Sequence, residues 1–283
     1  MKYFLTSIIF FFTLCVCNAK QTDREIKLDS IFSLRTLSND NEIDLNERFD
    51  YAELACKLSD DLGIDTIKLK SNRNLSSLYL YYDRDEQFGA INKKILKLSQ
   101  KLNDTIHIAY TLQNLGYYYQ TRIQNDSAYY YYYNAEKLYE LLGDLENRGE
   151  TLFSMANIQE TERDYIGSES NAIKGVKLLT QLPKTERNKE NLCGLYNLLA
   201  INSHRMKSYE DAIDYYNQTI EISKGTSSYL YYSLNSKNNI GFALFEQGEY
   251  IKALDLYNEV LEYDRLLEID TTLYVAVKGN IAL

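Results

Sequence analysis

Apolar and small residues recur along this chain in a repeated arrangement. The segments 195–222 and 237–263 each contain an apolar pair, then a tyrosine, an alanine three positions later and a second tyrosine four positions after that. Spacings of three and four place residues on one face of an α-helix. Short polar endings such as LLGD at 141–144 and KLND at 101–104 are typical helix stops. The pattern therefore predicts successive helices joined by short turns.

The composition supports a helical protein. The 283 residues include 27 tyrosines but only 12 glycines and one proline, Pro183. A β-rich protein of this length would need many more turn residues, so helices are favoured. The formal net charge is -9. Phosphate binding requires a concentrated positive field, so we expect no contact between this region and nucleic acid.

The N-terminus has the layout of a secretory signal peptide. One lysine precedes an apolar run from Tyr3 to Cys17, and small or polar residues follow as far as Ala19. The run is shorter than the roughly 20 residues of a membrane-spanning helix. We therefore expect residues 1–19 to be a signal peptide that is cleaved after Ala19, and the protein to reach a bacterial periplasm or cell envelope. A retained membrane anchor is the alternative.

The repeated unit resembles the tetratricopeptide repeat, a 34-residue helix-turn-helix unit. The residues that match its small and aromatic positions are Gly116, Ala128, Tyr132, Ala135, Ala200, Ala212, Tyr216, Gly241, Ala253 and Tyr257. The matching repeats run from 71 to 104, 109 to 142, 149 to 182, 193 to 226 and 234 to 267, with an incomplete repeat from 275. The resemblance implies an all-α, right-handed α-solenoid over residues 46–283, after an irregular or helical segment at 20–45.

Small residues in such repeats have a physical cause. Two helices of a hairpin approach within about 8 to 10 Å, and their closest crossing admits only Gly, Ala or Ser. We expect Gly241 to face Ala253 at one such crossing. The segment 49–63 resembles the second helix of a repeat whose first helix is absent. The intervals between repeats exceed 34 residues, which indicates longer helices or longer linkers. Since the last repeat is incomplete, we expect the chain to be truncated at its C-terminus.

The run of five tyrosines from 129 to 133 falls in a second helix of this register. Tyr129, Tyr131 and Tyr132 take positions that are normally apolar or aromatic, so we interpret them as structural. Tyr130 and Tyr133 are in excess of what the repeat needs, and a tyrosine-rich composition explains them.

The resemblance also indicates where a ligand would bind, because arrays of this family usually bind through a concave face lined by their first helices. The candidate lining residues are Tyr79, Tyr82, Tyr110, Gln113, Tyr117, Gln120, Asn157, Asn197, His204, Asn238 and Phe242. The alternative for each aromatic residue is that it contacts a neighbouring repeat instead of a ligand.

The sequence contains no pattern that points to catalysis. His107 and His204 are the only histidines, and they are far apart in the repeat register. No His, Cys and carboxylate cluster has metal-ligand spacing, and no Gly-rich phosphate loop is present. We therefore expect no enzyme activity, no metal and no cofactor, and no disulfide between Cys56 and Cys193.

These observations lead to two functional hypotheses. The first is a protein- or peptide-binding repeat scaffold of an exported protein. The second is a periplasmic sensory input region of a longer membrane signalling protein, a histidine kinase or a DNA-binding regulator. Its output domain and membrane tether would lie in missing downstream sequence.

Overall fold

The computed structural model describes residues 22–263 and 266–282. The predicted signal peptide at 1–19 lies outside the described residues. Helices follow one another through the described chain, and no strand occurs in these two ranges. The helices are α1 (22–38), α2 (Leu45–Leu62), α3 (Asp65–Tyr81), α4 (Asp85–Lys101), α5 (Thr105–Thr121), α6 (Asn125–Leu142), α7 (Leu145–Thr161), α8 (Tyr165–Leu179), α9 (Glu186–Arg205), α10 (Tyr209–Ser223), α11 (Tyr229–Glu246), α12 (Tyr250–Leu261), α13 (Leu266–Ile269) and α14 (Thr271–Ile281).

Within α2 to α4, and within α6 to α12, each helix packs against the next one in the chain, and the predicted all-α class is confirmed. Odd-numbered helices up to α11 are the first helices of the pairs, and even-numbered helices up to α12 are the second. The extra length of each repeat lies mainly in the helices, since α5 has 17 residues and α6 has 18. The segment 49–63 is not a lone second helix, because it lies in α2 and α1 precedes it.

The chain divides into two compact units, Met1–Tyr118 (unit 1) and Tyr119–Leu283 (unit 2). The core of unit 1 is formed mainly by α2, α3 and α4. One cluster of buried residues in this core comprises Ala52, Cys56, Leu69, Leu75, Leu78, Ile91 and Ile95. Polar contacts join the helices of this unit as well: Asn92 Nδ2 donates to Ser76 Oγ (2.8 Å), and Asn114 Nδ2 donates to Asn92 Oδ1 (3.1 Å).

The small and aromatic signature residues are all buried. In unit 2, Ala128 and Tyr132 form a cluster with Met155 and Ile158. The atoms nearest to Gly241, however, belong to Tyr257 and not to the expected partner Ala253. A Cβ atom added at Gly241 would lie 2.6 Å from Cε1 of Tyr257, so Gly241 leaves room for an aromatic ring one helical turn beyond Ala253.

Burial divides the five tyrosines of α6 as their register predicts. Tyr132 is buried, and its hydroxyl donates to Gln120 Oε1 (2.9 Å). The ring of Tyr131 stacks on Tyr119 with centroids 5.2 Å apart. Tyr130 and Tyr133 are exposed. The run therefore lies in an amphipathic helix, and its two extra tyrosines, Tyr130 and Tyr133, are on the solvent-exposed side.

Both cysteines beyond the N-terminal segment are buried and free, as expected. Burial raises the pKa of the Cys56 thiol and of the Cys193 thiol to about 12. Neither thiol is therefore a nucleophile at neutral pH, because the thiolate is the reactive form. Within the described ranges, no helix combines the length and the hydrophobicity needed to cross a membrane.

Several turns of the array contain one residue in the left-handed backbone region. Most of these residues are Gly, Asn, Asp or a long charged residue, but the turn after α5 contains Ile123 at φ 58°. A β-branched residue is strained in this conformation. The Ile123 side chain is 83% exposed, so the burial of apolar surface does little to offset this backbone strain.

We expect Ile123→Asn to raise the free energy of unfolding by about 1 kcal/mol, because Asn tolerates the left-handed region. Urea denaturation followed by circular dichroism measures the change. Ile123→Val is the matched control: it keeps the β-branch, so its stability should stay near that of the wild type. Equal stabilisation by both variants would show that the backbone conformation is not the cause.

Candidate functional site

One face of α5 in unit 1 displays aromatic residues to solvent. Ile106, Tyr110, Gln113 and Tyr117 follow one another at spacings of four, three and four, which places them on one side of the helix. Tyr110 is 37% exposed and Tyr117 is 43% exposed. These four residues are called the α5 stripe below. The stripe contains three of the residues predicted to line a groove.

Neighbouring side chains hold the two tyrosine rings in place. Tyr117 rests edge-on against Phe88 of α4, with ring centroids 6.2 Å apart at 87°. Phe88 is itself buried. The Arg73 guanidinium of α3 lies 5.4 Å from the ring centroid of Tyr110. Each ring is thus supported on one side and open on the other, which is the arrangement of a preordered contact surface.

The other two predicted groove residues of unit 1 contact α2 instead. The ring of Tyr79 stacks on Phe49 at 5.6 Å. Burial, followed by the Glu53 carboxylate, raises the pKa of Tyr79. The Tyr82 hydroxyl accepts a hydrogen bond from Arg48 Nη1 (2.8 Å). For these two tyrosines the structure therefore supports the alternative of contact with neighbouring helices.

Two predicted groove residues of unit 2 are also engaged in helix contacts. Gln120 accepts the hydrogen bond from Tyr132 described above. Asn238 is 8% exposed and accepts from Asn280 Nδ2 of α14 (3.0 Å). These side chains have little surface to offer a ligand.

Two amides on the first helices of unit 2 are available for hydrogen bonding. Asn157 of α7 and Asn197 of α9 are half-buried, and their side-chain amides bond to no other described residue. On the same two helices, Arg187 of α9 donates from Nε and Nη2 to the two carboxylate oxygens of Glu150 of α7 (2.7 and 2.9 Å). Asn191 Nδ2 donates to the same carboxylate (2.8 Å). These bonds fix α7 against α9 and leave the two amides free.

The last two predicted residues, His204 and Phe242, meet in unit 2. Their rings lie 5.3 Å apart at 73°. His204 Nε2 is 2.6 Å from Glu246 Oε2, and the His204 ring also contacts Tyr209 edge-on. Phe242 stacks against Phe245. The result is a half-buried aromatic cluster with a histidine-carboxylate pair at its edge.

The sequence interpretation missed the charged residues that support these surfaces, namely Arg73, Glu150 and Arg187. Arg187 and Glu150 are 37 positions apart, and His204 and Glu246 are 42 apart. Both separations are close to one repeat. Polar pairs at that spacing are therefore a signal for contacts between successive first helices, and a search for such pairs could have found them.

The side chains on these faces are aromatic, amide and charged groups. No group of three or more His, Cys, Asp or Glu side chains in the described part of the chain could hold a metal ion. Exposed tyrosine rings, unpaired amides and oriented charges are the usual components of a recognition surface.

Comparison with known proteins identifies the repeat. Residues 191–266 match the family model described as tetratricopeptide repeat. No curated protein shows significant sequence similarity to the chain.

Solved structures extend this likeness over most of the chain. BtubC from P. vanneervenii has a TM-score of 0.64 at 15% identity, covering 84% of this chain and 93% of that one. A signal transduction ATPase with a tetratricopeptide repeat sensor from Pyrococcus horikoshii has a TM-score of 0.70 at 14% identity, covering 91% and 38%. Kinesin light chain repeats from Podosopora anserina have a TM-score of 0.56 at 15% identity, covering 72% and 97%. At these identities the likeness concerns the fold.

Proposed function

We propose that this chain is the protein- or peptide-binding scaffold of an exported protein, built from tetratricopeptide repeats like those that residues 191–266 match. Repeats of this kind generally mediate contacts between proteins. The observation that carries the proposal is the α5 stripe, where Tyr110 and Tyr117 expose ring surface while their neighbours hold them in place.

Aromatic side chains are well suited to this role. A tyrosine supplies a large contact area at a low cost in conformational entropy, and a few such anchors provide most of the energy of a typical interface. Because the rings of the stripe are already supported by Phe88 and Arg73, little ordering is needed on binding. A peptide with apolar or aromatic side chains would complement this surface.

The free amides of unit 2 supply a second type of contact. Asn157 and Asn197 each offer a carbonyl oxygen and an amino group, and an extended peptide backbone presents the complementary groups. We propose that they bind peptide main chain, which would make recognition in this unit tolerant of sequence.

Export is proposed from the N-terminal pattern of one lysine, an apolar run and Ala19. Cleavage after Ala19 would release the scaffold into a periplasm or cell envelope. N-terminal sequencing of the mature protein from its own cells tests this part of the proposal, and a mature chain that still begins at Met1 would contradict it.

The second candidate function is sensory input to a longer membrane signalling protein. One observation favours it: the ATPase from Pyrococcus horikoshii carries a tetratricopeptide repeat sensor, and this chain corresponds to 38% of that protein. In this proposal the same binding surface would report on a ligand to an output domain. Reading the gene beyond Leu283 distinguishes the two, since a membrane helix followed by a kinase or DNA-binding domain favours the sensor.

Selection from a displayed library of random peptides tests the scaffold proposal directly. The purified chain is immobilised, and retained peptides are sequenced. We expect enriched peptides to share a pattern with aromatic or large apolar residues, and to be lost when the bait is Tyr117→Ala. Tyr130→Ala, which removes a more exposed tyrosine from the second helix α6, should retain them. Equal enrichment on all three baits, or none on the wild type, would contradict the proposal.

A further inference from the structure

A cavity of about 480 Å³ opens between helices α8, α9 and α10 of unit 2. It adjoins the linker 180–185, which joins α8 to α9, whereas only residues 206–208 join α9 to α10. This longer linker contains Pro183, the only proline of the chain, and helices usually end at or before the residue that precedes a proline. Leu182 and Lys184 of the linker line the cavity. The cavity therefore lies beside a helix connection that differs from the short turn after α9.

Hydrogen bonds hold this linker against the start of α9. Asn188, which is 2% exposed, donates from Nδ2 to the Leu179 carbonyl and to the Pro183 carbonyl, both at 3.0 Å. Thr185 caps the helix, because its Oγ1 accepts from the backbone N–H of Asn188 (3.2 Å). This wall of the cavity is therefore ordered without a ligand, which lowers the entropic cost of binding one.

The inner wall of the cavity is apolar. Leu179 and Leu192 belong to a buried hydrophobic cluster, and Leu182 and Ile222 are partly buried side chains packed against the same cluster. Cavities of about 300 to 1,000 Å³ that are lined mainly by apolar side chains are typical sites for small molecules. An alkyl chain placed here would remove the exposed parts of Leu182 and Ile222 from water, which is favourable.

The edge of the cavity is cationic. Lys184, Lys189 and Lys224 line it together with one acidic residue, Glu221, so the charge of the lining is +2 in a chain whose net charge is -9. Lys224 pairs with Glu221 (Nζ to Oε2, 2.5 Å). Lys189 Nζ donates to the Lys224 carbonyl (3.0 Å), which leaves two of its three donors. Neither Lys184 nor Lys189 forms an ion pair with a described residue.

Two further carboxylates of α9 are directed away from these lysines. Glu186 accepts a hydrogen bond from the backbone N–H of Ser227 (2.9 Å), and Glu190 accepts one from Ser228 Oγ (2.7 Å). Neither glutamate lines the cavity. Two ammonium groups of the lining are therefore available to an anion.

We propose that this cavity binds a lipid phosphate with a single chain, which places its chain against the apolar wall and its phosphate group at the lysines. A phosphate monoester carries about −1.5 to −2 charges at pH 7, which balances the charge of the lining, whereas a carboxylate balances only half of it. The compact charge of a lysine ammonium suits phosphate. The site shares no residue with the predicted peptide groove, so it adds a second ligand to the proposed function.

Calorimetric titration of the purified, detergent-free chain with decyl phosphate, below its micelle concentration and at constant ionic strength, tests the proposal. We expect saturation at one ligand per chain. Decyl maltoside, which has the same chain and a neutral headgroup, should bind at least tenfold more weakly. Inorganic phosphate, which lacks the chain, should not saturate the site, and decanoate should bind more weakly than decyl phosphate.

Two variants and one spectroscopic signal locate the site. Lys184→Gln should weaken the binding of decyl phosphate by about fivefold, because Lys184 is exposed and its charge is partly screened. Lys207→Gln removes another exposed lysine at the opposite end of α9 and should bind as the wild type does. In ¹³C–¹H spectra the methyl signals of Ile222 should shift on saturation, whereas those of Ile251, which is 79% exposed on α12, should not.

Other outcomes would overturn the inference. A titration with decyl phosphate that does not saturate, or a shift of Ile251 without a shift of Ile222, would show that the cavity is not a lipid site. Equal affinity for decyl maltoside, or equal weakening by Lys184→Gln and Lys207→Gln, would show that the lysines do not bind the headgroup. Tighter binding of decanoate would overturn the assignment to a phosphate. Because these experiments use no peptide, their failure is distinguishable from failure of the library selection.

Discussion

Gly241→Ala should destabilise the protein by about 1–3 kcal/mol, although alanine is a better helix former than glycine. The added methyl group would lie 2.6 Å from Cε1 of Tyr257, a ring that is buried between α11 and α12. The ring cannot move away without disturbing Ala253 and Val260, which belong to the same cluster. Urea denaturation followed by circular dichroism at 222 nm measures the loss.

Gly279→Ala is the matched control for this experiment. Gly279 also lies inside a helix, α14, but a Cβ atom added there meets nothing within 4 Å. The same substitution should therefore stabilise the protein by up to about 1 kcal/mol through helix propensity. If both variants shift stability in the same direction, the close approach of Tyr257 to Gly241 is not what makes glycine necessary.

Tyr117→Ala should weaken the binding of a selected peptide by about 30-fold, the loss of an aromatic anchor worth about 2 kcal/mol. Because the Tyr117 ring is 43% exposed and makes an edge contact with Phe88, its removal should leave the helix content and the melting temperature nearly unchanged. Binding is measured by fluorescence anisotropy with a labelled peptide from the library selection.

Two further variants separate the scaffold from the site. Ala128→Leu overfills a position that is fully buried beside Tyr132 and Met155, so it should cost about 1–3 kcal/mol of stability whether or not a peptide is present. Tyr130→Ala should change neither stability nor affinity substantially. If Tyr117→Ala lowers the melting temperature as much as Ala128→Leu does, then Tyr117 is a core residue.

The helical class and the buried signature positions could be predicted from sequence because they leave a local trace. A close helix crossing requires Gly or Ala, and residues such as Ala128, Ala212 and Ala253 show this requirement directly. The contact partner of Gly241 was harder to predict. Ala253 and Tyr257 lie one turn apart on the same face of α12, and periodicity defines the face of a helix more sharply than the position of a contact along its axis.

The sequence did not decide whether the segment that forms α1 is irregular or helical, and the reason is different. Residues 22–38 lack the small-residue signature of the later repeats, so nothing in the register marked them as the partner of α2. Their role is visible in contacts instead: Arg48 Nε donates to the Ser38 carbonyl (3.0 Å), and Ser38 Oγ donates to Asn74. Such contacts join residues far apart in sequence, and one sequence alone does not reveal them.

The candidate site, too, could be predicted only in part from one sequence. Tyr79 and Tyr117 occupy equivalent positions in their repeats, directly after Leu78 and Gly116, yet the ring of Tyr79 is stacked on Phe49 and Tyr117 faces solvent on one side. The difference arises in the neighbouring helix, since α2 supplies an aromatic ring that covers Tyr79. Repeat register therefore predicts which residues lie on the first-helix face, and the neighbours decide which of them stay accessible.

The central claim is that the α5 stripe binds a partner and is separable from the core. Calorimetric titration of the strongest selected peptide into Tyr117→Ala, at a temperature where the variant is fully folded, tests it most directly. The account predicts a dissociation constant about 30-fold above that of the wild type. A dissociation constant equal to that of the wild type would contradict it.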